Sequence, residues 1–250
     1  FTTAEYPEYS TLKSYSYIIS NDGATIAALS GTTGVIDYFG TNASMVIQSA
    51  INALASGTIF IKNAIYSLDH ALEEKSHVSL ESDGATLKVA GQVNAISLIN
   101  VNNVNIEGFI IDGSESSYAD ARDLYRQNGI LVEGCENVKI INCEILKCKQ
   151  MGVQLQCLRS PPFTPSSNVI IEKCKIHDTV NAAIYVYDCS LVTIQDNDIY
   201  NCLIAVAGSR GASLEQITIT RNSMHNLRNQ AIYFVSIIKS KITYNHIEDC

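Results

Sequence analysis

The chain has 250 residues and a formal net charge of -8; 46% of its residues are hydrophobic and 17% are charged. An acidic, lightly charged chain lacks the basic surface that attracts nucleic acid or anionic lipid, and no apolar stretch is long enough for membrane insertion. The composition therefore excludes a nucleic-acid partner and a membrane-inserted protein. Because residue 1 is Phe, we expect a processed or excised N-terminus. The absence of Trp and the many Asn and Tyr residues favour an extracellular or cell-surface protein.

Residues 1–34 are expected to form an N-terminal extension, and residues 35–250 to form the main domain. The segment IDYFGTNASMVIQSAINALASGTIFIKNAIYSL predicts a strand, a turn, an amphipathic helix at about residues 43–55, and the first of several coils that run from about residue 58 to 250. Asn42 or Ser44 can cap this helix. Its apolar residues recur at helical spacing: Met45, Val46, Ile47, Ile51 and Leu54. We expect the helix to cover one end of the core.

The segment NVKIINCEILKC (residues 137–148) returns later as NVIIEKCKIHDT, LVTIQDNDIYNC and QITITRNSMHNL. Each copy aligns on one isoleucine, and the spacings between these isoleucines are 34, 31, 23, 25 and 23 residues. The aligned residues are Ile106, Ile140, Ile171, Ile194, Ile219 and Ile242. A unit of about 23 residues with two insertions explains the spacings, so the chain contains an internal repeat.

Each repeat unit is predicted to contain short strands. Val138, Ile140 and Ile145 are expected inside, while Lys139 and Glu144 alternate with them and point outward. A second short strand follows in each unit, and no unit has room for a crossover helix. Strands that recur at a fixed period without helices predict an all-β parallel solenoid of about eight coils.

One position of the repeat is expected to lie at a sharp bend. Its occupants are Cys143, Cys174, Asn197, Asn222 and Asn245. An Asn at this bend tolerates the left-handed conformation, and its amide can bond to the equivalent Asn in the next coil. The recurrence is therefore interpreted as structural, with a ligand-binding role as the alternative.

The chain resembles the pectin-lyase-like right-handed parallel β-helix proteins over roughly residues 35–250. The resemblance rests on GTNASMVIQSAINAL, GTIFIKNAIYSL, VSLESDGATLKV and the coils from Val104 onward. It implies a right-handed parallel β-helix with an N-terminal capping helix. This family includes pectate lyases, polygalacturonases, mannuronan epimerases and phage tailspikes, so the resemblance is specific for the fold and not for one activity. The N-terminal sequence is also similar to that of secreted archaeal β-helix proteins, and this resemblance implies an archaeal or viral source.

In enzymes of this family the substrate lies along one exposed sheet between loops inserted among the coils. The insertions here are residues 112–127 and 158–167, and both flank the second strand of their units. The outward residues of that strand are expected to be Leu131, Gln154, Tyr185, Ala205 and Tyr233. Tyr rings stack on sugars and forked Arg side chains bind uronate carboxylates. The candidate substrate-binding residues are Arg122, Asp123, Arg126, Gln154, Arg159, Tyr185, Tyr187, Asp188, Arg210 and Tyr233. The alternative is a solvated sheet face with ordinary strand tyrosines.

The catalytic signatures of the family are missing, so the catalytic residues stay unknown. Polygalacturonases have clustered aspartates and Gly-His-Gly, whereas the epimerases have an aromatic-Gly-Phe-Asp-Pro-His segment where this chain has MGVQLQ (residues 151–156). The Gln side chains there cannot act as acid or base. No cofactor is expected, and calcium would be needed only if Asp120 and Asp123 served a lyase. A polysaccharide lyase or hydrolase thus remains one of the open alternatives.

The histidines and cysteines are interpreted as structural. His177 and Asp178 are expected to form an exposed structural pair, and no metal-ligand spacing links the histidines. The eight cysteines fall into columns rather than CxxC pairs. The columns are Cys148, Cys202 and Cys250, then Cys143 and Cys174, then Cys135, Cys157 and Cys189. Most are expected to be reduced thiols that fill the interior, with one or two disulfides as the alternative.

Two functions remain compatible with the sequence. The first is an extracellular protein that binds or processes a polysaccharide. The second is a structural solenoid of a cell surface, filament or virion, without catalytic activity. The last unit stops at Cys250 before its second strand, which favours end-to-end or homo-oligomeric assembly, or a fragment of a longer protein.

Overall fold

A computed structural model describes residues 15–117, 127–209 and 214–250 of the chain. In this part of the chain, strands numbered β1–β26 in chain order and one helix, α1, form a three-sided solenoid. From β4 to β24 each coil contributes one strand to each of three sheets, in the order first, second, third, and the last described coil contributes β25 and β26 to the first two. The predicted all-β parallel solenoid is confirmed.

The first sheet has eleven strands in the described residues; the pairs β1–β2 and β2–β3 are antiparallel, and the other neighbouring pairs are parallel. These strands are β1 (Tyr17–Asn21), β2 (Ile26–Ser30), β3 (Ile36–Gly40), β4 (Gly57–Ile61), β7 (Val78–Ser82), β10 (Asn102–Glu107), β13 (Glu136–Ile141), β16 (Ser166–Glu172), β19 (Cys189–Gln195), β22 (Glu215–Thr220) and β25 (Lys241–Thr243).

The second and third sheets are entirely parallel in the described residues. The second contains β5 (Ile65–Leu68), β8 (Thr86–Val89), β11 (Ile110–Asp112), β14 (Glu144–Leu146), β17 (Lys175–His177), β20 (Asp198–Tyr200), β23 (Ser223–His225) and β26 (His246–Glu248). The third contains β6 (Leu72–Glu73), β9 (Ile96–Ile99), β12 (Ile130–Glu133), β15 (Val153–Gln156), β18 (Ala182–Tyr187), β21 (Ile204–Ser209) and β24 (Gln230–Phe234).

The predicted isoleucine register is confirmed by strand pairing. Ile140 pairs with Ile106 on one side and with Ile171 on the other, and the same column continues through Ile194 and Ile219. All five side chains are fully buried. Stacked apolar columns of this kind form one continuous core, and burying each isoleucine stabilises the fold by about 1.5–3 kcal/mol.

The predicted capping helix is present as α1 (Ala43–Ala53). Asn42 is its N-cap, because the Asn42 side chain accepts a hydrogen bond of 3.0 Å from the backbone N–H of Met45. Val46, Ile47 and Ile51 are buried against the core, whereas Met45 is 67% exposed. Met45 therefore does not belong to the buried face of the helix, to which its spacing assigns it. Residues 17–30, which the sequence assigns to an extension, form β1 and β2 of the first sheet.

The bend between the first and second sheets differs from the prediction in one respect. The left-handed residue is the one before the predicted position, with φ between 52° and 57° at Asn142, Lys173, Asp196, Arg221 and Tyr244. Gly108 occupies this place one coil earlier (φ 81°), where a Cβ atom would clash with the carbonyl of Ser82. Residue types vary here, because hydrogen bonds between the coils hold the backbone in this conformation.

The predicted amide ladder is confirmed one residue further along the same bend. Asn197 donates its side-chain N–H to Asn222 Oδ1 at 2.9 Å, and Asn222 donates in the same way to Asn245 Oδ1 at 2.9 Å. Each of these oxygens also accepts the backbone N–H of the preceding ladder residue at 3.0 Å. The ladder thus satisfies backbone donors that the bend leaves inside the solenoid.

All eight cysteines are free thiols, and six of them are buried. Cys143 and Cys174 are neighbours on adjacent coils, as predicted, since Lys175 donates its backbone N–H to Cys143 O at 2.9 Å. Burial raises the pKa of Cys148 to about 12, so this thiol is protonated. Cys157 does not share the column of Cys135 and Cys189 as predicted. It lies beside Asp188 at the outer end of the third sheet.

Candidate functional site

The outward face of the third sheet carries the residues that the sequence predicts for a groove. Gln154 on β15 pairs with Tyr185 on β18, and this column continues through Ala207 to Tyr233. Ala207 therefore takes the outward place assigned to Ala205. That prediction is wrong because Ala205 is fully buried in the core, and the apolar run IAVAG contains no polar residue to mark the alternation.

A second outward column lies two residues further along the same strands. It contains Glu133, Gln156, Tyr187 and Ser209, which pair in succession across β12, β15, β18 and β21. Two parallel columns on one flat sheet face place these side chains about 4.8 Å apart from coil to coil.

A cleft of about 360 Å³ opens between this face and the Pro-rich segment that follows β15, residues 158–165. We name it the third-sheet cleft, and its described lining residues are Gln154, Gln156, Cys157, Arg159, Phe163, Tyr185 and Tyr187. The Pro-rich segment is closed by hydrogen bonds from Leu158 N to Thr164 O (2.7 Å) and from Phe163 N to Ser160 O (2.9 Å). These bonds hold Arg159 and Phe163 over the sheet.

Buried amides form a hydrogen-bonded chain beneath the cleft. Asn128 donates to Gln154 Oε1 (2.9 Å), Gln154 donates to Gln156 Oε1 (2.9 Å), and Gln156 donates to Glu133 Oε2 (2.7 Å). All four side chains belong to residues that are no more than 3% exposed. Because each member orients the next, the floor of the cleft is preorganised.

Arg159 forms an ion pair at the end of this chain. Its Nε donates to Glu133 Oε2 at 3.1 Å, and its backbone N–H donates to Glu133 Oε1 at 2.9 Å. The side chain of Glu133 is 4% exposed, whereas that of Arg159 is 46% exposed. The guanidinium that the sequence assigns to a uronate carboxylate is therefore already paired with a carboxylate of the protein itself.

Aromatic side chains supply the apolar part of the cleft. Tyr185 and Tyr187 project from β18, and Phe163, 58% exposed, faces them from the Pro-rich segment. The hydroxyl of Tyr185 forms a short hydrogen bond with Ser209 Oγ, which fixes the direction of the ring. Tyr233 lies two coils beyond Tyr185 in the same column and is 44% exposed.

Carboxylates determine the electrostatic character at the outer end of the cleft. Asp188 follows β18 and its Oδ2 lies 3.8 Å from Cys157 Sγ. Burial raises the pKa of the Cys157 thiol, and the carboxylates of Asp188 and Glu133 raise it further. A thiol beside a net positive charge would have a lowered pKa.

The remaining predicted site residues lie outside the described residues. They are Arg122, Asp123, Arg126 and Arg210. Asp120, the other aspartate considered for calcium, lies outside them as well. In the described ranges, no group of three or more His, Cys, Asp or Glu side chains is arranged to hold a metal ion. No helix of the described residues is long and apolar enough to cross a membrane.

His177 forms a buried cluster on the second sheet rather than the exposed pair that the sequence predicts. Its ring nitrogens lie 2.7 Å from Asp178 and 3.1 Å from Glu144, and its ring stacks on Tyr200 with centroids 4.6 Å apart. The stack continues to His225 at 5.0 Å. Repetition of aromatic residues at one register of β17, β20 and β23 explains the burial. With both nitrogens and one ring face engaged, His177 has a structural role.

Sequence reasoning missed several members of the site, of which Glu133, Gln156 and Asn128 are the most important. Glu133 and Gln156 lie two residues after Leu131 and Gln154, so strict alternation along β12 and β15 would place them on the same face. Asn128 lies before β12, where no periodic signal exists.

The fold and cleft define a parallel β-helix protein with an outward-facing site on one sheet. A family model described as the right-handed beta helix region matches residues 13–216 and 163–250. The chain belongs to this right-handed β-helix family, which confirms the predicted handedness. No curated protein sequence matches the chain.

Solved structures of the same fold superpose on most of the chain. An exopolygalacturonase from Thermotoga maritima has a TM-score of 0.64 and 13% identity over 80% of this chain and 62% of that one. The N-terminal fragment of bacteriophage phi29 gene product 12 has a TM-score of 0.63 and 15% identity over 84% and 41%. The tailspike of E. coli bacteriophage HK620 has a TM-score of 0.63 and 12% identity over 82% and 41%. This chain spans less than half of either phage protein, and these identities show the shared fold alone.

Proposed function

We propose that the protein binds a polysaccharide chain in the third-sheet cleft, outside the cell or at a surface. The observation that carries the proposal is the cleft itself, which two tyrosines and a phenylalanine line above a buried chain of amides. Sugar rings present an apolar face and a rim of hydroxyls, which match aromatic faces and amide groups.

The solved structures with this fold support the proposal by their descriptions. They include an exopolygalacturonase, a phage tailspike and PfbA, a surface adhesin of Streptococcus pneumoniae. Their low identities mean that the argument for this chain depends on its own residues.

Binding without cleavage is the form of the proposal that the described residues support. General acid–base catalysis requires a carboxyl or imidazole that can reach the substrate. None of the described residues that line the cleft carries such a group. The nearby Glu133 is buried and paired with Arg159 and Gln156, and Asp188 lies at the outer end of the cleft beside Cys157.

Replacing Tyr185 with alanine is expected to weaken oligosaccharide binding by about 1 kcal/mol or more, because an aromatic stacking surface is lost. We expect the melting temperature to change little, since the ring of Tyr185 lies outside the core columns. The affinity is measured by titration calorimetry with an oligosaccharide found on a glycan array, and the melting temperature by circular dichroism.

Tyr244→Ala is the matched control, because Tyr244 is 86% exposed and lies at the bend between the first two sheets. Equal loss of affinity in both variants would show that the sugar does not bind the cleft. Absence of binding to every oligosaccharide at millimolar concentration would instead favour the alternative function, a structural rod whose core columns run through all the coils.

A further inference from the structure

We propose that the third-sheet cleft selects an uncharged oligosaccharide and discriminates against chains that contain uronic acids. The inference rests on the proposed function and assigns the chemical class of its ligand.

The cation that would bind a uronate is already bound. Arg159 is the one cation among the described lining residues, and Glu133 holds it through both the guanidinium Nε (3.1 Å) and the backbone N–H (2.9 Å). A uronate carboxylate could gain the full positive charge of Arg159 only by displacing Glu133 from it.

Such a replacement is unfavourable because Glu133 cannot move into water. Its side chain is 4% exposed and also accepts a hydrogen bond of 2.7 Å from Gln156. Separating the pair would leave a buried carboxylate without its counter-ion, and an unpaired buried charge is strongly destabilising. The protein's own carboxylate thus occupies the place that a uronate group would need.

The surroundings of Cys157 add a second carboxylate, Asp188, to the argument. Burial is the largest cause of the raised pKa of its thiol, followed by the carboxylates of Asp188 and Glu133. Cys157 lines the cleft and its Sγ lies 3.8 Å from Asp188 Oδ2, so this carboxylate repels another anion at that wall.

The other described lining groups carry no charge. The rings of Tyr185, Tyr187 and Phe163 offer apolar faces, and the amides of Gln154 and Gln156 form a fixed neutral floor. An uncharged sugar can place its C–H face against the rings without losing the hydration of a charged group, whereas a uronate loses hydration without gaining a free cation.

The test measures binding of the intact protein to two sets of oligosaccharides. The neutral set contains malto-, cello-, xylo-, galacto- and N-acetylglucosamine oligosaccharides, and the acidic set contains galacturonate, alginate and hyaluronate oligosaccharides. We expect the best neutral ligand to bind at least tenfold more tightly than the best acidic one. We also expect its affinity to be nearly independent of sodium chloride concentration, because no ion pair forms with the ligand.

Tighter binding of an acidic oligosaccharide that weakens with salt would overturn this inference and leave the proposed function standing. If neither set binds, the proposed function fails, and the inference fails with it. These results therefore separate the two claims.

The variant Glu133→Gln tests the physical cause. Removing this negative charge leaves the positive charge of Arg159 no longer compensated by Glu133, so we expect the affinity for acidic oligosaccharides to rise at least tenfold. A folded Glu133→Gln protein without this gain would contradict the assignment of the ion pair as the selecting feature. If the variant does not fold, the salt dependence measured on the unmodified protein decides the question.

Discussion

Replacing Asn222 with alanine is expected to lower the free energy of unfolding by about 3 to 5 kcal/mol, the cost of leaving several buried polar groups unsatisfied. Asn222 is 1% exposed, and its amide donates to the carbonyls of Ile194 and Thr220 at 2.9 and 3.1 Å. Its Oδ1 accepts both the backbone and the side-chain N–H of Asn197. Alanine provides none of these bonds, and the small cavity left behind lies inside the core, away from solvent.

Asn245→Ala is the matched control for Asn222→Ala, because Asn245 stands at the same register one coil later and is only half-buried. Water can replace its lost bonds, so we expect a cost of about 1 kcal/mol. The free energies come from urea unfolding. Equal losses for both variants would contradict the structural role assigned to the ladder.

Replacing Glu74 with glutamine is expected to stabilise the protein by several kcal/mol at pH 8 and to remove most of its dependence on pH between about 5 and 8. Glu74 follows β6, and its backbone N–H donates to Ser97 O at 3.0 Å, which places its side chain level with the buried Leu98. Neither carboxyl oxygen has a hydrogen-bond partner in the described structure. Burial is the largest cause and raises the pKa of Glu74 to about 8, against the opposing effect of the Lys75 backbone amide.

The direction of the effect follows from the two protonation states of Glu74. Below pH 4.5, its ordinary value, the carboxyl is protonated in both the folded and the unfolded chain. As the pH rises towards 8, the unfolded chain releases this proton while the folded chain keeps it, so stability falls. Each pKa unit corresponds to about 1.4 kcal/mol, and the full loss therefore approaches roughly 4 to 5 kcal/mol. Above about pH 8 the contribution is constant.

Urea unfolding at a series of pH values measures this dependence for the unmodified protein and for Glu74→Gln. Glu73→Gln is the matched control, because Glu73 is the adjacent residue and is exposed. We expect the control to follow the unmodified protein at every pH. A Glu74→Gln curve parallel to that of the unmodified protein would show that Glu74 is not buried as a neutral acid.

The repeat made most of the fold predictable. An isoleucine column, an amide ladder and a capping helix each have a periodic or local signal, and in a solenoid the register of one coil fixes that of the next. The failures occur where the signal is ambiguous. Ala205 lies in an apolar run in which no polar residue marks the alternation. Met45 fits the helical spacing of the apolar residues, but its side chain is exposed.

The candidate site was predictable only in part, because register shows which residues share a face but not which of them pair. Gln154, Arg159, Tyr185 and Tyr187 do line one cleft. The pairing of Arg159 with Glu133 depends on the path of the Pro-rich segment, which has no periodic pattern. Glu74 illustrates the same limit, since a buried glutamate is uncommon and composition gives no reason to place one inside.

The central claim is that a sugar chain binds in the third-sheet cleft, and a crystal structure of the protein with a bound oligosaccharide tests it most directly. We expect a sugar ring in contact with the face of Tyr185 or Tyr187, at about 4 Å, between the sheet and Phe163. A ligand that binds reproducibly to another surface, with the cleft unchanged, would contradict the account.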